Sequence, residues 1–116
     1  MNIAKSLMYI SLIVSSEEGV DFYKNLGFVE KNRVKRLQCH DEVINLENEF
    51  VKLEIYKDAT HPKKENKPEP CGLRYLCFEV ERIDGECQED AQGKYKYIFD
   101  PDNQAVKIRE VYQDQN

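Results

Sequence analysis

With a period of two, positions 7–14 have one wholly apolar face and a second face that is apolar apart from a tyrosine and a serine, which is typical of a β-strand with both faces at least partly covered. A helix is predicted next, because Ser15 and Glu18 have the spacing of a capping box and Gly27 is suited to end a helix. The apolar stripe of this helix consists of Val20, Phe22, Tyr23 and Leu26. Three further strands, joined by short turns, are predicted at 28–36, 41–47 and 50–57.

The second half of the chain repeats this outline in a shorter form. A strand is predicted at 73–80, a weak helix at 83–91, and two strands at 94–99 and 104–112, so that about one strand is missing from the repeat. Between the halves, residues 58–72 contain three of the four prolines and no large apolar side chain, which is typical of a linker or mobile loop. We prefer a solvated connection to a lid for this segment.

Composition narrows the class of protein. The 116 residues are enough for one domain, and acidic residues outnumber basic ones by 22 to 17, giving a formal net charge of −5. Nucleic-acid binders usually carry a basic surplus, so no nucleic-acid partner is expected. No membrane partner is expected either, because no stretch approaches the roughly 20 apolar residues of a spanning helix. The four cysteines form no C-x-x-C pair and are interpreted as reduced thiols of a cytoplasmic protein.

Three stretches of the chain resemble motifs of one superfamily. They are 22–28 (FYKNLGF), 72–80 (GLRYLCFEV) and 99–108 (FDPDNQAVKI). They are similar to the FY-x-x-x-LGF, G-x-x-H-x-x-F-x-V and DPDGN-x-IEL stretches of the vicinal-oxygen-chelate superfamily. That superfamily includes glyoxalase I, bleomycin-resistance proteins and extradiol dioxygenases.

The resemblance implies a single α+β domain over residues 1–116. Paired βαβββ modules, at about 6–57 and 73–112 with the linker 58–72 between them, would form a curled mixed sheet with a central cleft. The second module would be shortened. The resemblance also implies a homodimer, since small members of the superfamily usually bury their modules against a partner.

The superfamily's four metal-ligand positions fall on Tyr9, Glu54, Tyr75 and Lys107, of which only Glu54 is a family-type ligand. An ammonium group has no lone pair to offer a dication, and a neutral tyrosine is a poor ligand. We therefore expect no metal and no other cofactor, and keep a divalent metal as the alternative. We predict that Lys107 pairs with Glu54 where the metal would lie, because an unpaired buried carboxylate would be costly.

Further residues extend the predicted ligand-binding surface. Tyr56 would add aromatic surface to the cleft, and Arg109 shares a strand face with Lys107, where basic groups suit an anionic ligand. Cys77 lies two residues from Tyr75, either as a nucleophile or as a small buried filler. No catalytic residue is assigned.

The expected function is therefore that of a glyoxalase/bleomycin-resistance-like protein that binds a small aromatic or anionic molecule in a cleft without the usual metal. Two alternatives stay open. One is a divalent-metal-dependent lyase or dioxygenase with unusual ligands, and the other is a structural or regulatory dimer without a ligand. Whether the protein is an enzyme is left open.

Overall fold

A computed structural model describes residues 3–113, within which the chain forms one helix and eight strands. The elements are β1 (Ile10–Val14), α1 (Glu17–Asn25), β2 (Val29–Arg36), β3 (Asp41–Glu47), β4 (Lys52–Lys57), β5 (Leu76–Glu79), β6 (Gln88–Asp90), β7 (Gly93–Phe99) and β8 (Ala105–Val111). The strands form two four-stranded sheets, so the predicted α+β class is confirmed. The described residues contain no helix long and apolar enough to cross a membrane.

The chain forms two compact units, Met1–Lys63 and Lys64–Asn116. In the first unit the strand order is β1-β4-β3-β2, with β1 parallel to β4 and the other pairs antiparallel. The helix follows β1 and packs on one face of this sheet. Its apolar stripe and the apolar side chains on that face of the strands are thereby buried from water, which stabilises the unit. The residues of this core with 0% exposure are Val14, Val20, Tyr23, Ile44 and Ile55.

The start of α1 differs from the prediction. Ser16, not Ser15, is the N-cap residue, and it makes no side-chain capping hydrogen bond, so the predicted capping box is wrong. Gly27, with φ of 112°, ends the helix as predicted, and its N–H donates to the carbonyl of Lys24 at 3.0 Å. Close packing also constrains the helix, because a Cβ on Gly19 would lie 2.7 Å from Cβ of Val14.

Four alternating charges stabilise the N-terminal end of α1 against the sheet. Arg33 donates two hydrogen bonds to the Glu17 carboxylate, at 2.7 and 2.8 Å. Lys57 Nζ lies 3.0 Å from Glu17 and 2.9 Å from Glu42. Mainly through the Arg33 hydrogen bonds, the pKa of Glu17 is lowered to about 2. The helix is thereby joined to β2, β3 and β4 by ion pairs as well as by apolar packing.

The second unit has the strand order β5-β8-β7-β6, with β5 parallel to β8. The helix predicted at 83–91 is wrong: β6 (Gln88–Asp90) lies there and pairs antiparallel with β7. That stretch has few apolar residues to bury a helix face, and Gly85 adopts a φ of 85°, which is not helical. The expectation that about one strand is missing is therefore also wrong: within the described residues the second module has four strands and lacks its helix instead.

The turn predicted at 100–103 is confirmed. Asp100 accepts hydrogen bonds on Oδ1 from the N–H groups of Asp102, at 2.8 Å, and Gln104, at 3.0 Å. Asn103 takes a φ of 68°, which asparagine tolerates better than most residues. The turn sets the register of β7 against β8, and with it the face on which their side chains lie.

Candidate functional site

One face of the second sheet collects aromatic and cationic side chains. Strand pairing places Lys107 between Cys77 on β5 and Tyr97 on β7, and places Arg109 opposite Tyr95. Since side chains alternate between the faces of a sheet, residues in these rows point the same way. We call this surface the tyrosine face and define it by Tyr75, Tyr95, Tyr97, Lys107 and Arg109.

The Lys107 ammonium lies over three tyrosine rings. Its Nζ is 4.5 Å from the ring centre of Tyr95, 5.5 Å from that of Tyr97 and 5.8 Å from that of Tyr75. Tyr75 and Tyr97 pack edge to face with ring centres 5.4 Å apart. Each ring presents a negative face to the cation, so the interaction is attractive. Among the described residues of its own unit, no carboxylate forms an ion pair with Lys107.

Arg109, in contrast, is neutralised. Its guanidinium donates two hydrogen bonds to Asp90 on β6, at 2.8 and 2.9 Å, and lies 4.9 Å from the ring centre of Tyr95. These hydrogen bonds hold the pKa of Asp90 well below its usual range and raise that of Arg109. The charge of Arg109 is therefore already compensated within the sheet, whereas that of Lys107 is not.

Three residues of this site were missed from the sequence. Tyr95 and Tyr97 share the face of Lys107, and the period-two alternation of 94–99 could have indicated that they lie together. No sequence pattern indicates Asp90 as a site residue, because the stretch around it is predicted as a helix. Cys77 is an exposed free thiol, so the buried-filler interpretation is wrong, and its role as a ligand-binding residue stays a prediction.

The first unit brings together the other predicted binding residues. Glu54 on β4 accepts a hydrogen bond from Ser11 Oγ at 3.2 Å. The Glu54 carboxylate is also the largest cause of a raised pKa at Tyr56, to which Tyr9 contributes. The Arg36 guanidinium lies 5.0 Å from the Tyr56 ring centre. Glu54 and Tyr56 thus share one face of β4, and Ser11 is the residue paired with Glu54. Tyr9 lies just before β1, two residues from Ser11, and is 46% exposed.

The side chains of the second unit that the resemblance places at metal-ligand positions are poor donors for a dication. On the second unit, Tyr75 and Lys107 contribute a ring contact and an ammonium group, neither of which offers a good lone pair. Within residues 3–113, no cluster of three or more His, Cys, Asp and Glu side chains has an arrangement able to hold a metal ion. The predicted Glu54–Lys107 ion pair stays a prediction.

A groove of about 740 Å³ adjoins the tyrosine face within the second unit. Its aromatic lining is Tyr75, Tyr97 and Phe99, and its basic lining is Lys64, Lys67 and Arg74. A volume of several hundred Å³ with apolar walls and a few polar groups is typical of small-molecule sites. Phe99 is 53% exposed, so its ring is accessible to a ligand.

The chain has the glyoxalase fold, as the sequence resemblance implied. Among solved structures, it is similar to a glyoxalase family protein from Enterococcus faecalis, with 24% identity and a TM-score of 0.81. It is similar to SMU.1112c at 28% identity, also with a TM-score of 0.81. Each match covers 91% of this chain and 98% of the other.

A curated relative is the uncharacterized protein YwkD of Bacillus subtilis (strain 168), 26% identical over 91% of this chain and 97% of its own length. No family profile matches the chain.

More distant neighbours show what the fold accommodates. TnmS3 from Streptomyces sp. CB03234, an antibiotic binding protein, has 16% identity, a TM-score of 0.66, and matches 97% of this chain and 100% of its own. A mutant of the fosfomycin resistance protein FosX from Listeria monocytogenes, complexed with Mn(II) and dihydroxypropylphosphonic acid, has 12% identity and a TM-score of 0.69, over 95% of each chain. These matches concern the fold alone.

Proposed function

We propose that this protein binds a small aromatic or anionic molecule at the tyrosine face of its second unit, without a divalent metal. The observation that carries the proposal is the Lys107 ammonium over the rings of Tyr75, Tyr95 and Tyr97. The rings supply flat apolar surface for a ligand, and the ammonium supplies a positive charge that no carboxylate of the same unit pairs with among the described residues.

The metal-free part of the proposal rests on the donor set. The FosX mutant of similar fold is complexed with Mn(II), whereas this chain has a cation at one of the positions where the resemblance implies a metal ligand. Lys107 would repel a dication and has no lone pair to coordinate it. The fold also serves a protein named for antibiotic binding, TnmS3, so small-molecule binding is compatible with this architecture.

Tyr9, Glu54 and Tyr56 stay predicted ligand-binding residues of the first unit, together with Cys77 of the second. Support for Glu54 and Tyr56 is their common face on β4, where the Glu54 carboxylate raises the pKa of Tyr56. Tyr9 rests on the superfamily resemblance. A homodimer in the cytoplasm also stays a prediction, which sedimentation and localisation of the full chain test.

Isothermal titration calorimetry of the full chain tests the proposal, after a thermal-shift screen of aromatic and anionic compounds has selected ligands. Lys107→Gln is expected to weaken their binding about five- to tenfold. Lys96→Gln is the matched control, because Lys96 pairs with Ile108 and lies on the opposite face of the sheet. Unchanged binding in Lys107→Gln, with folding confirmed by circular dichroism, contradicts the proposal.

Elemental analysis tests the metal-free part separately. We expect no stoichiometric zinc, nickel, iron or manganese in protein purified with these metals present. A stoichiometric metal that Glu54→Gln removes would favour the metal-dependent lyase or dioxygenase instead.

A further inference from the structure

The first part of the second unit is fastened to the β7–β8 turn, although its sequence has the composition of a mobile loop. The backbone N–H of Lys64 donates to the carbonyl of Asp102 at 2.9 Å. Asn103 Nδ2 donates to the carbonyl of Lys64 at 3.0 Å, and Asn66 Nδ2 donates to the carbonyl of Asn103 at 3.2 Å. These bonds hold the segment as a wall beside the sheet; we call 64–69 the linker wall.

The Lys64 side chain strengthens this attachment. Its Nζ donates to the carbonyls of Leu73 and Arg74, at 3.2 and 3.4 Å, and to Oε1 of Gln104, at 3.3 Å. All three acceptors are neutral oxygens, so the positive charge of Lys64 is solvated by the protein but not cancelled. The wall thus brings a fixed positive charge to the groove.

The groove between this wall and the sheet has an aromatic surface on one side. Tyr75, Tyr97 and Phe99 line it, and Tyr97 and Phe99 keep 42% and 53% of their surface exposed. Large aromatic rings exposed along one groove suit a flat ring system that covers them.

The charged lining of the groove has one more basic than acidic side chain. The basic residues are Lys64, Lys67 and Arg74, and the acidic residues are Glu65 and Glu69. Glu69 is engaged by Arg74, whose Nε donates to it at 3.1 Å. Within the described part of its unit, Lys67 forms no ion pair, so its ammonium is available to an anion.

We infer that the occupant of this groove is a planar aromatic anion, with its rings on Tyr97 and Phe99 and its carboxylate, sulfonate or phosphonate group held by Lys67 of the linker wall. The inference rests on the proposed function and deepens it, since it places aromatic and anionic character in one molecule. The excess positive charge of the groove lining complements an anion, and the volume of about 740 Å³ is large enough for a small aromatic molecule. The segment 64–69 is then a specificity element and not a passive connection.

Calorimetry with three probes tests the ligand class. Naphthoate is an aromatic anion, naphthylmethylammonium an aromatic cation, and octanoate an anion without a ring. We expect naphthoate to bind the full chain about tenfold more tightly than either of the others. Equal or tighter binding of octanoate or of naphthylmethylammonium overturns the inference, while the proposed function, which needs only one of the two characters, survives.

Paired variants test the location. Lys67→Gln should weaken naphthoate binding about two- to fivefold, whereas Lys63→Gln, an exposed lysine just outside this unit, should leave it unchanged. Phe99→Leu should weaken it about three- to tenfold, with Phe50→Leu, 85% exposed in the first unit, as its control.

Naphthoate binding that Lys107→Gln weakens but Lys67→Gln and Phe99→Leu do not would overturn the inference and keep the proposed function. If none of the three probes binds, the inference is overturned, and the broader compound screen decides the proposed function on its own. Circular dichroism of each variant distinguishes loss of binding from loss of the fold.

Discussion

Nζ of Lys107 on β8 lies 4.5 Å from the centre of the Tyr95 ring on β7. Tyr95 is not the residue directly opposite Lys107; the strand register pairs it with Arg109, so the lysine reaches diagonally across the sheet. The same ring therefore meets two cations, because the Arg109 guanidinium lies 4.9 Å from it. Asp90 neutralises Arg109, which lets both cations share one ring at an acceptable electrostatic cost.

This relationship predicts a stability effect. Lys107→Gln should lower the free energy of unfolding by about 0.5–1 kcal/mol, because the attraction between the ammonium and the rings is lost. Urea denaturation followed by circular dichroism measures the change. Lys96→Gln on the opposite face is the control, and equal losses in both variants would show that the ring contacts contribute nothing specific.

The ion pairs of α1 predict a pH dependence. The folded pKa of Glu17 is lowered to about 2 from an ordinary value of 4.5, so its contribution is complete above about pH 5 and is lost as the pH falls towards 2. Glu17→Gln should cost about 0.5–1 kcal/mol at neutral pH, discounted because the side chain is 45% exposed. The difference from wild type should vanish near pH 2.

Urea denaturation across this pH range checks the result, and 1 M salt should shrink the difference at neutral pH. The control is Glu49→Gln, an exposed carboxylate of the β3–β4 turn. A Glu17→Gln deficit that persists at pH 2 would mean that packing, not charge, is responsible.

Gly93 predicts a steric effect. It takes a φ of 148°, and a Cβ there would lie 2.0 Å from the carbonyl oxygen of Glu110 on β8. Gly93→Ala should therefore cost about 2 kcal/mol or more, since backbone must move. Gly72→Ala is the control, because Gly72 has a φ of 131° but open space around it, so it reports strain alone. Thermal denaturation compares the two; an equal loss contradicts the clash.

The ion pair of Arg109 predicts a gain in affinity. Asp90→Asn should release Arg109 on the tyrosine face and tighten the binding of an anionic ligand selected by the thermal-shift screen about two- to fivefold. Asp84→Asn is the control, because it frees the exposed Arg82 instead. Calorimetry measures both. Weaker binding in Asp90→Asn would show that Asp90 positions the guanidinium and does not mask its charge.

Local pattern accounts for much of the fold. Alternation at 50–57 predicted β4, whose inward residues Leu53 and Ile55 are 1% and 0% exposed. Periodicity suffices there because a long amphipathic strand has one apolar face, and burying that face is favourable. Periodicity gives the wrong element at 83–91, because this stretch has too few apolar residues to distinguish a helix from a strand. Pairing with β7 makes part of it a strand.

For the site, the sequence by itself determined that Tyr75 and Lys107, an aromatic and a basic residue, stand on strands of the second half, where the resemblance made them candidate binding residues. Only the tertiary structure decided that Lys107 lies over Tyr95 and Tyr97, and that Asp90 neutralises Arg109. The physical reason is that a period of two assigns a side chain to a face. Its neighbours on that face depend on the register between strands, and register follows from turns and from the packing of the whole sheet.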